Sequence, residues 1–495
     1  TKKRSFCISQ SKQVASRKQE QMTLDLPGLS KVVAKFDGGA VCSDGGLLLL
    51  RKADACLGLA ELASYAISDE RRPEYVQHTV VDMLRQRIYG IAAGYEDCND
   101  AGQLRVDSMH KLALGRDLAG GLALASQPSL SRFENNIDAT SNAALQKLLV
   151  HLFVKQTRKA PKVIRLAMDT TCDETYGSQQ MTFYNGYYRA FCYAPLFIFT
   201  ECGFPLCALL RPGNPNPIDD AKRMLKKVLH ELRLSWPQTR IELTADAAFA
   251  SSEMFDFLEA EGVTYFIAAA GHAGYTYHAE KTVSQCKKEF DEFGHPSPEV
   301  KRHSLAVNQQ ERKANWRMIE EKKRFASKAE GRVQELFEEH YGVKKFIEFQ
   351  YRAREWSRDR RIICRAQVDQ KGPDTRFVVT NATRMTARKI YQDKYCSRAQ
   401  CENWIKDLKV YLKSGRTSCQ EFEANQFRLM LHTFAYILMY FIKKRAQLRE
   451  MTLETFRLQL LKIGVLVEQK CREVRLHLAS EFAWRDQFQV AWANT

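Results

Sequence analysis

Between Tyr395 and Lys409 the sequence reads YCSRAQCENWIKDLK, and its polar residues are spaced for one helical face. At about 100° per residue from Tyr395, Arg398 falls near ~300°, Glu402 near ~340°, Lys406 near ~20° and Lys409 near ~320°. Cys401, Trp404, Ile405, Leu408 and Leu412 form a separate apolar stripe. A glutamate among cations can simply mark a solvated face held by modest ion pairs. It can also supply oxygen to a hard divalent cation, which prefers carboxylates, waters and substrate phosphates. That second chemistry needs more acids, and two stand at telling places. Asp169 closes the apolar run of PKVIRLAMDTTCDE, and Asp246 closes that of RIELTADAAF. Either aspartate alone reads as a turn or helix cap. Three acids brought together suit magnesium ions that clamp both the attacking and the leaving oxygen in phosphoryl displacement. Asp173 and Glu174 are rivals to Asp169. Asp219 and Asp220 are better explained as favourable acids at a helix N-terminus.

The elements that must position these acids start near residue 161. After the run ending at Asp169, YYRAFCYAPLFIFT and PLCALLRPG are apolar runs separated by Glu-Cys-Gly-Phe, which predicts an antiparallel hairpin. IDDAKRMLKKVLHELRLSW has strong helical periodicity. RIELTADAAF predicts a strand, SSEMFDFLEAEG a helix stopped by Gly262, and VTYFIAAAG another strand. Three strands, helix, strand, helix, strand is the order of an α/β ribonuclease-H-like core: an antiparallel meander feeding parallel strands through helical crossovers. In that fold the first and fourth strands are neighbours, so Asp169 and Asp246 would face each other and Glu402 would arrive on a packed helix.

The expected organisation is a disordered basic lead at 1–22, a helical N-terminal DNA-binding domain at 23–158, and the first part of the core at 159–271. An inserted, partly β domain follows at 272–394. Its first half is charged and helix-compatible; KKFIEFQYRA, RRIICRAQVD and TRFVVTNAT predict three strands in its second half. Residues 395–447 return to the core with the Glu402 helix and a long buried helix, and 448–495 form a basic α/β tail. Within the N-terminal part, DLAGGLALASQPSLSRFENNI reads as a short helix, a Ser-Gln-Pro turn and a second helix capped by Ser129 that offers Arg132 and Asn135. That pattern fits either a helix-turn-helix with its second helix in a DNA major groove or an ordinary helical hairpin.

Composition narrows the class. The chain has 495 residues, enough for two or three domains, and 45% of them are hydrophobic, which excludes disorder as the main state. Its net charge of +17 suits a polyanionic partner such as nucleic acid or an acidic membrane surface. The most apolar run, Leu429 to Ile442, contains His432 and is shorter than the ~18 residues a spanning helix needs, so it predicts a buried core helix. The 14 cysteines show no zinc-ligand spacing and predict reduced thiols in a cytoplasmic protein.

Tyr395-x2-Arg398-x3-Glu402-x6-Lys409 resembles the Tyr-Arg-Glu-Lys signature of bacterial insertion-sequence transposases with a DDE triad. DTTCDETYG, FYNGYY, LLRPGN, TADAAF and SGRTSC resemble one branch of that group, as do DGGLLLL and SQPSLSRFEN, so the likeness runs from about residue 30 to 480. The departure is TADAAF, where relatives often have Ser-Gly after the aspartate.

The resemblance implies a Mg2+-dependent enzyme, with Mn2+ as a substitute, that cuts the ends of its own element and joins the freed 3′ hydroxyl to target DNA. Asp169, Asp246 and Glu402 would hold the metal. Tyr395, Arg398 and Lys409 would contact phosphates beside the scissile bond, and an aromatic of the insertion, Trp316 or Trp356, would hold a flipped base. Its partners would be double-stranded DNA, as terminal inverted repeats and target, and a second copy of the chain in a synaptic homodimer. It would have no membrane partner and would work in a bacterial cytoplasm, at the nucleoid when bound. The alternatives are a resolvase-like nuclease of the same fold without strand transfer, and a non-catalytic DNA-binding derivative.

Overall fold

The computed structural model describes residues 22–24, 32–118, 121–293, 342–369, 371–470 and 473–495. The expected basic lead, apart from Met22, and the charged first half of the insertion from 294 onward, with Trp316, lie outside the described residues. The chain divides into two compact units, one of residues 1–56, 71–132 and 438–495, the other of 57–70 and 133–437.

The second unit is built on an eight-stranded sheet. Its strands are β1 (Val163–Thr170), β2 (Leu196–Thr200), β3 (Pro205–Leu209), β4 (Arg240–Ala245), β5 (Thr264–Ala269), β6 (Val343–Tyr351), β7 (Arg360–Asp369) and β8 (Gly372–Thr380). Across the sheet they run β6-β7-β8-β5-β4-β1-β2-β3. β1, β2 and β3 form the antiparallel meander, while β4 lies parallel to both β1 and β5. The parallel pairs require crossovers. One is the helix α1 (Pro217–Ser235), where the Asn216 side chain accepts from the amides of Ile218 and Asp219, and Asp219 and Asp220 occupy the first turn as expected. The other is α2 (Ser252–Ala260), capped by Ser251 and followed by Gly262 at φ 63°.

Two readings of the sequence are corrected here. The run YYRAFCYAPLFIFT is not one strand. It breaks after Tyr193, so that Ala190–Tyr193 joins a small sheet with Asp173–Glu174 and Phe183–Asn185, and only Leu196–Thr200 enters the large sheet. Pro195 lacks the amide that a continuous central strand would require. The three strands after residue 342 form an antiparallel meander whose last member, β8, pairs with β5 from Phe266↔Thr380 to Ala269↔Phe377. The large sheet therefore runs on into the segment expected as an insertion. A buried cluster of Phe266, Ile363, Val378 and Ile390 closes over that junction.

The first unit joins early and late parts of the chain. Val41–Cys42 pairs with Val465–Gln469, which pairs with Val474–Leu478. Next to this sheet Asp44 is buried and accepts hydrogen bonds from Tyr95 at 2.8 Å and Lys462 at 2.6 Å, with the His110 ring nitrogen at 3.1 Å. Gly46 packs directly on the backbone of Leu460 and Leu461, where any side chain would overlap it. The Ser-Gln-Pro turn is also corrected. Residues 121–126 carry no regular structure, and Gln127 and Pro128 open the helix Gln127–Asn135 instead. Proline is tolerated there because the first helical amide needs no partner. Ser126, whose carbonyl accepts from the Ser129 amide at 3.0 Å, takes the position expected of Ser129.

Candidate active site

β1 and β4 are in parallel register with Met168 beside Ala245, so the next residues, Asp169 and Asp246, emerge level at adjacent strand ends. Neighbouring strands lie about 4.8 Å apart. Asp169 is only 7% exposed, and its Oδ1 accepts from the Thr170 amide at 2.9 Å. Asp246 caps the 3₁₀ turn Ala247–Phe249, accepting from the Ala248 amide at 3.1 Å. The altered turn TADAAF thus keeps its carboxylate at the strand end.

The Glu402 segment is not the uniform helix on which the wheel was drawn. It runs as a π stretch (Ile390–Tyr395), a 3₁₀ turn (Cys396–Arg398), an α-helix (Ala399–Lys406) and a second π stretch (Asp407–Tyr411). Such turns change the rotation per residue. Arg398 and Glu402 stay together as the wheel predicts. The apolar stripe holds: Cys401, Ile405, Leu408 and Leu412 are buried, and Trp404 packs on Phe199 with centroids 5.4 Å apart. Gly203, at φ 86°, leaves room for the Trp404 indole.

Arg398 joins the acids. Its Nη1 donates to Asp169 Oδ2 at 2.7 Å and its Nη2 to Glu402 Oε1 at 3.1 Å. Burial pushes the Asp169 carboxyl up to about 6, with Asp246 and Glu402 adding repulsion against the pull of Arg398 and the Thr170 amide. Burial raises Asp246 as well, again against Arg398. Burial works against the charge of Arg398, but Asp169, Tyr395, Glu402 and Asp246 outweigh it and raise that group. Two carboxylates thus bond a single guanidinium, and the charge of a third, Asp246, also acts on it.

Lys409 leaves this group. Its Nζ donates to Thr171 Oγ1 at 3.1 Å and to the Cys172 carbonyl, and lies 3.4 Å from Asp173 Oδ1. Asp173 is fully enclosed, and burial raises its carboxyl against the charge of Lys409. Glu174, the other rival to Asp169, is exposed and accepts from the Tyr176 hydroxyl at 2.9 Å. Tyr395 is half-buried against Tyr391 and the core cluster. Lys394, which the spacing did not single out, is buried and donates to Glu242 at 2.7 Å, bracing the segment against β4. The sequence holds no signal for it, since a lysine beside the signature tyrosine reads as a solvated charge and only the fold buries it.

Of the remaining expected residues, Ser129 is half-buried with its hydroxyl 3.0 Å from that of Ser126, while Arg132 and Asn135 are exposed. Trp356 is half-buried, edge-on to Phe255 at 5.5 Å and covered by Arg360 at 5.4 Å from its centroid. The donor chemistry of Asp169, Asp246 and Glu402 fits a hard cation: oxygen only and mutually repelling, with Asp169 buried and Glu402 open to solvent. Among the described residues, however, no three such side chains are drawn in to ligand distance, and the guanidinium lies against two of them.

These features define an α/β protein that gathers carboxylates at the ends of parallel neighbours and on a helix packed over them. The sequence matches the family described as Transposase DDE domain group 1 over residues 26–494, and the chain belongs to that family. It is a DDE-type DNA transposase. No curated protein matches it in sequence. Among solved structures it is similar to a piggyBac transposase, seen by cryo-EM in a synaptic complex with hairpin DNA. Identity is 11% over 85% of this chain and 80% of that one, with a TM-score of 0.37. No described helix is long and apolar enough to cross a membrane.

Proposed function

We infer that the chain is the transposase of a bacterial insertion sequence with a ribonuclease-H-like core. It binds the terminal repeats of its element, hydrolyses the phosphodiester bonds at those ends and joins the freed 3′ hydroxyls to target DNA. The observation that carries this reading is the level register of Asp169 and Asp246, with Glu402 linked to Asp169 through Arg398. The sheet order β3-β2-β1-β4-β5 supports the core assignment, since it is a meander followed by two parallel crossovers.

Asp169, Asp246 and Glu402 would hold magnesium, or manganese in its place. When bound, such ions stabilise charge on the attacked phosphate and the leaving oxygen. The chain's own part is positioning. The strand ends fix the two aspartates, and the Cys401–Leu412 stripe fixes the helix that carries Glu402. Arg398 balances the acids and presents a planar fork suited to a phosphate beside the scissile bond. Lys409 ties the loop after β1 to the same helix, and its side chain is part-exposed, within reach of a neighbouring phosphate. Tyr395 completes that signature, and residues 23–158 would supply contacts to the repeats. Synapsis of two ends requires at least two copies.

The test is incubation with labelled element ends, a target plasmid and magnesium. Cleavage followed by joining, abolished by Asp246→Asn with end binding retained, is the expected result. Cleavage without joining would favour a nuclease of the same fold. Binding without either step would leave only a DNA-binding derivative.

A further inference from the structure

Among the described residues, seven large apolar or aromatic side chains that face solvent fall between Tyr176 and Phe191. Exposed groups of this kind are normally scattered, and a contiguous set marks an interaction surface. Tyr176 is 92% exposed and Tyr187 88%; Tyr184 and Phe191 face each other across the two strands, and Met181, Phe183 and Tyr188 are the other three. Most of it lies on the hairpin between Phe183–Asn185 and Ala190–Tyr193, part of the small sheet beside the strand that ends in Asp169.

This hairpin is held firmly. Asn185 Oδ1 accepts from the amides of Tyr187 and Tyr188 at 3.0 and 3.2 Å, and its Nδ2 donates to the Gly213 carbonyl at 2.7 Å. Gly213, in the LLRPGN stretch, packs so tightly on the backbone of Phe183 and Cys192 that any side chain there would overlap it. Arg189, exposed at the tip, sits at φ 55°, and Met181, just before the hairpin, at φ 61°. Such backbone persists only where the surroundings fix it. The aromatic rings are therefore displayed at defined positions.

Their location and chemistry identify an occupant. The hairpin's second strand pairs with Asp173–Glu174, four residues after Asp169, so the patch lies on the segment that follows the candidate catalytic acid. Tyr187 and Tyr188 meet edge to face at 4.9 Å, and Tyr184 and Phe191 at 5.6 Å, presenting ring faces and edges rather than an aliphatic groove. Arg189 adds an exposed cation to a chain of net charge +17. Flat aromatic faces beside a cation suit nucleobases freed from a duplex, which stack with little regard to sequence.

We propose that the Tyr184–Phe191 hairpin is a stacking platform for unpaired bases of the DNA strand at the cleavage site. The occupant is single-stranded DNA at the element end, not a duplex groove and not a second protein. The inference rests on the proposed function, since it takes the acids beside the hairpin to act on DNA.

The test uses the full chain and two element-end duplexes, one blunt and one with a short unpaired overhang carrying 2-aminopurine. Wild-type protein should bind the overhang duplex more tightly and change the 2-aminopurine fluorescence, as a stacked base does. Tyr187→Ala combined with Tyr184→Ala should abolish the fluorescence change and weaken overhang binding by on the order of tenfold. The corresponding Phe variants should retain both, because stacking needs the ring and not the hydroxyl. Thermal melting of each variant checks folding, which the exposure of Tyr187 and Tyr184 should leave intact. Equal binding of blunt and overhang ends, or an Ala variant that keeps the preference, overturns the proposal. So does an Ala variant that changes only the oligomeric state. Failure of the proposed function is read separately: wild-type protein that stacks the overhang base but never cuts keeps the platform and loses the transposase chemistry. Cutting that ignores the Ala variants, with no fluorescence change, does the reverse.

Discussion

The guanidinium of Arg398 is bonded to Asp169 at 2.7 Å across 229 positions of sequence, and the same group reaches Glu402. One cation thus balances carboxylates from a strand and from the helix packed over it. Asp169 is buried, and that burial, with smaller repulsion from Asp246 and Glu402, lifts its carboxyl to about 6 against the pull of Arg398. The arrangement is poised to accept further positive charge.

Replacing Arg398 tests this balance without any DNA. Arg398→Ala should destabilise the metal-free protein by about 2 kcal/mol, because it leaves Asp169 uncompensated. The pair with Glu402, whose side chain is 62% exposed, contributes little. Magnesium should recover most of the loss, and it should stabilise the variant more than wild type. Urea unfolding with and without magnesium measures both. An equal loss in the two conditions would show that Arg398 contributes only packing.

Lys409 should behave as a counter-ion to a buried acid. Asp173 has a side chain only 1% exposed, with the Lys409 ammonium 3.4 Å away. Lys409→Met should cost about 3 kcal/mol, and adding Asp173→Asn should recover a large part of it. A double-mutant cycle on denaturant unfolding gives the coupling; additive losses would mean that the two groups do not interact. The glycine of SGRTSC belongs to the same contact, since a Cβ on Gly415 would stand 3.0 Å from Asp173 Oδ1.

Gly46→Ala should destabilise the protein by about 2–3 kcal/mol, because the added methyl meets the backbone of Leu460 and Leu461 rather than a side chain that can move. Gly102→Ala, in the short helix Ala101–Leu104 with nothing within 4 Å, is the control. It should be neutral or stabilise by about 0.5–1 kcal/mol. Thermal unfolding of the two variants beside wild type decides the matter.

Acid should weaken the first unit through Asp44. Burial alone would raise this carboxyl, but the hydrogen bonds from His110 and Lys462, the charge of Lys462 and the Tyr95 hydroxyl overcome it and hold it at about 2. The folded state thus binds its proton more weakly than the unfolded state, whose ordinary value is 3.8. The contribution, about 2 kcal/mol, is complete above pH 4 and is lost as the pH falls toward 2. In denaturant unfolding, the stability difference between wild type and Asp44→Asn should shrink by that amount over this window. A difference that stays constant would assign the role of Asp44 to packing.

Much of the site could be read without a structure. The runs ending at Asp169 and Asp246 declare strand ends, because alternation and β-branched content act over a few neighbouring residues. The Arg398–Glu402 spacing survives because one α-helical turn relates the two. The apolar stripe of Cys401, Ile405, Leu408 and Leu412 also emerges intact, since it needs only a roughly helical period and a hydrophobic strand to lie on.

The tertiary structure decided what depends on distant partners. The π and 3₁₀ turns between Ile390 and Tyr411 redirect Lys409 from the arc of Glu402 to the loop after β1, a rotation that no fixed period foretells. Register alone sets Met168 beside Ala245 and thereby brings Asp169 level with Asp246. β8 extends the large sheet because β5 has a free edge that backbone amides and carbonyls must satisfy, a demand invisible in the side chains of either strand. The sequence by itself determined which residues carry charge and which elements they end. The fold decided which charges meet, because pairing across 229 residues is set by strand register and burial, not by spacing along the chain.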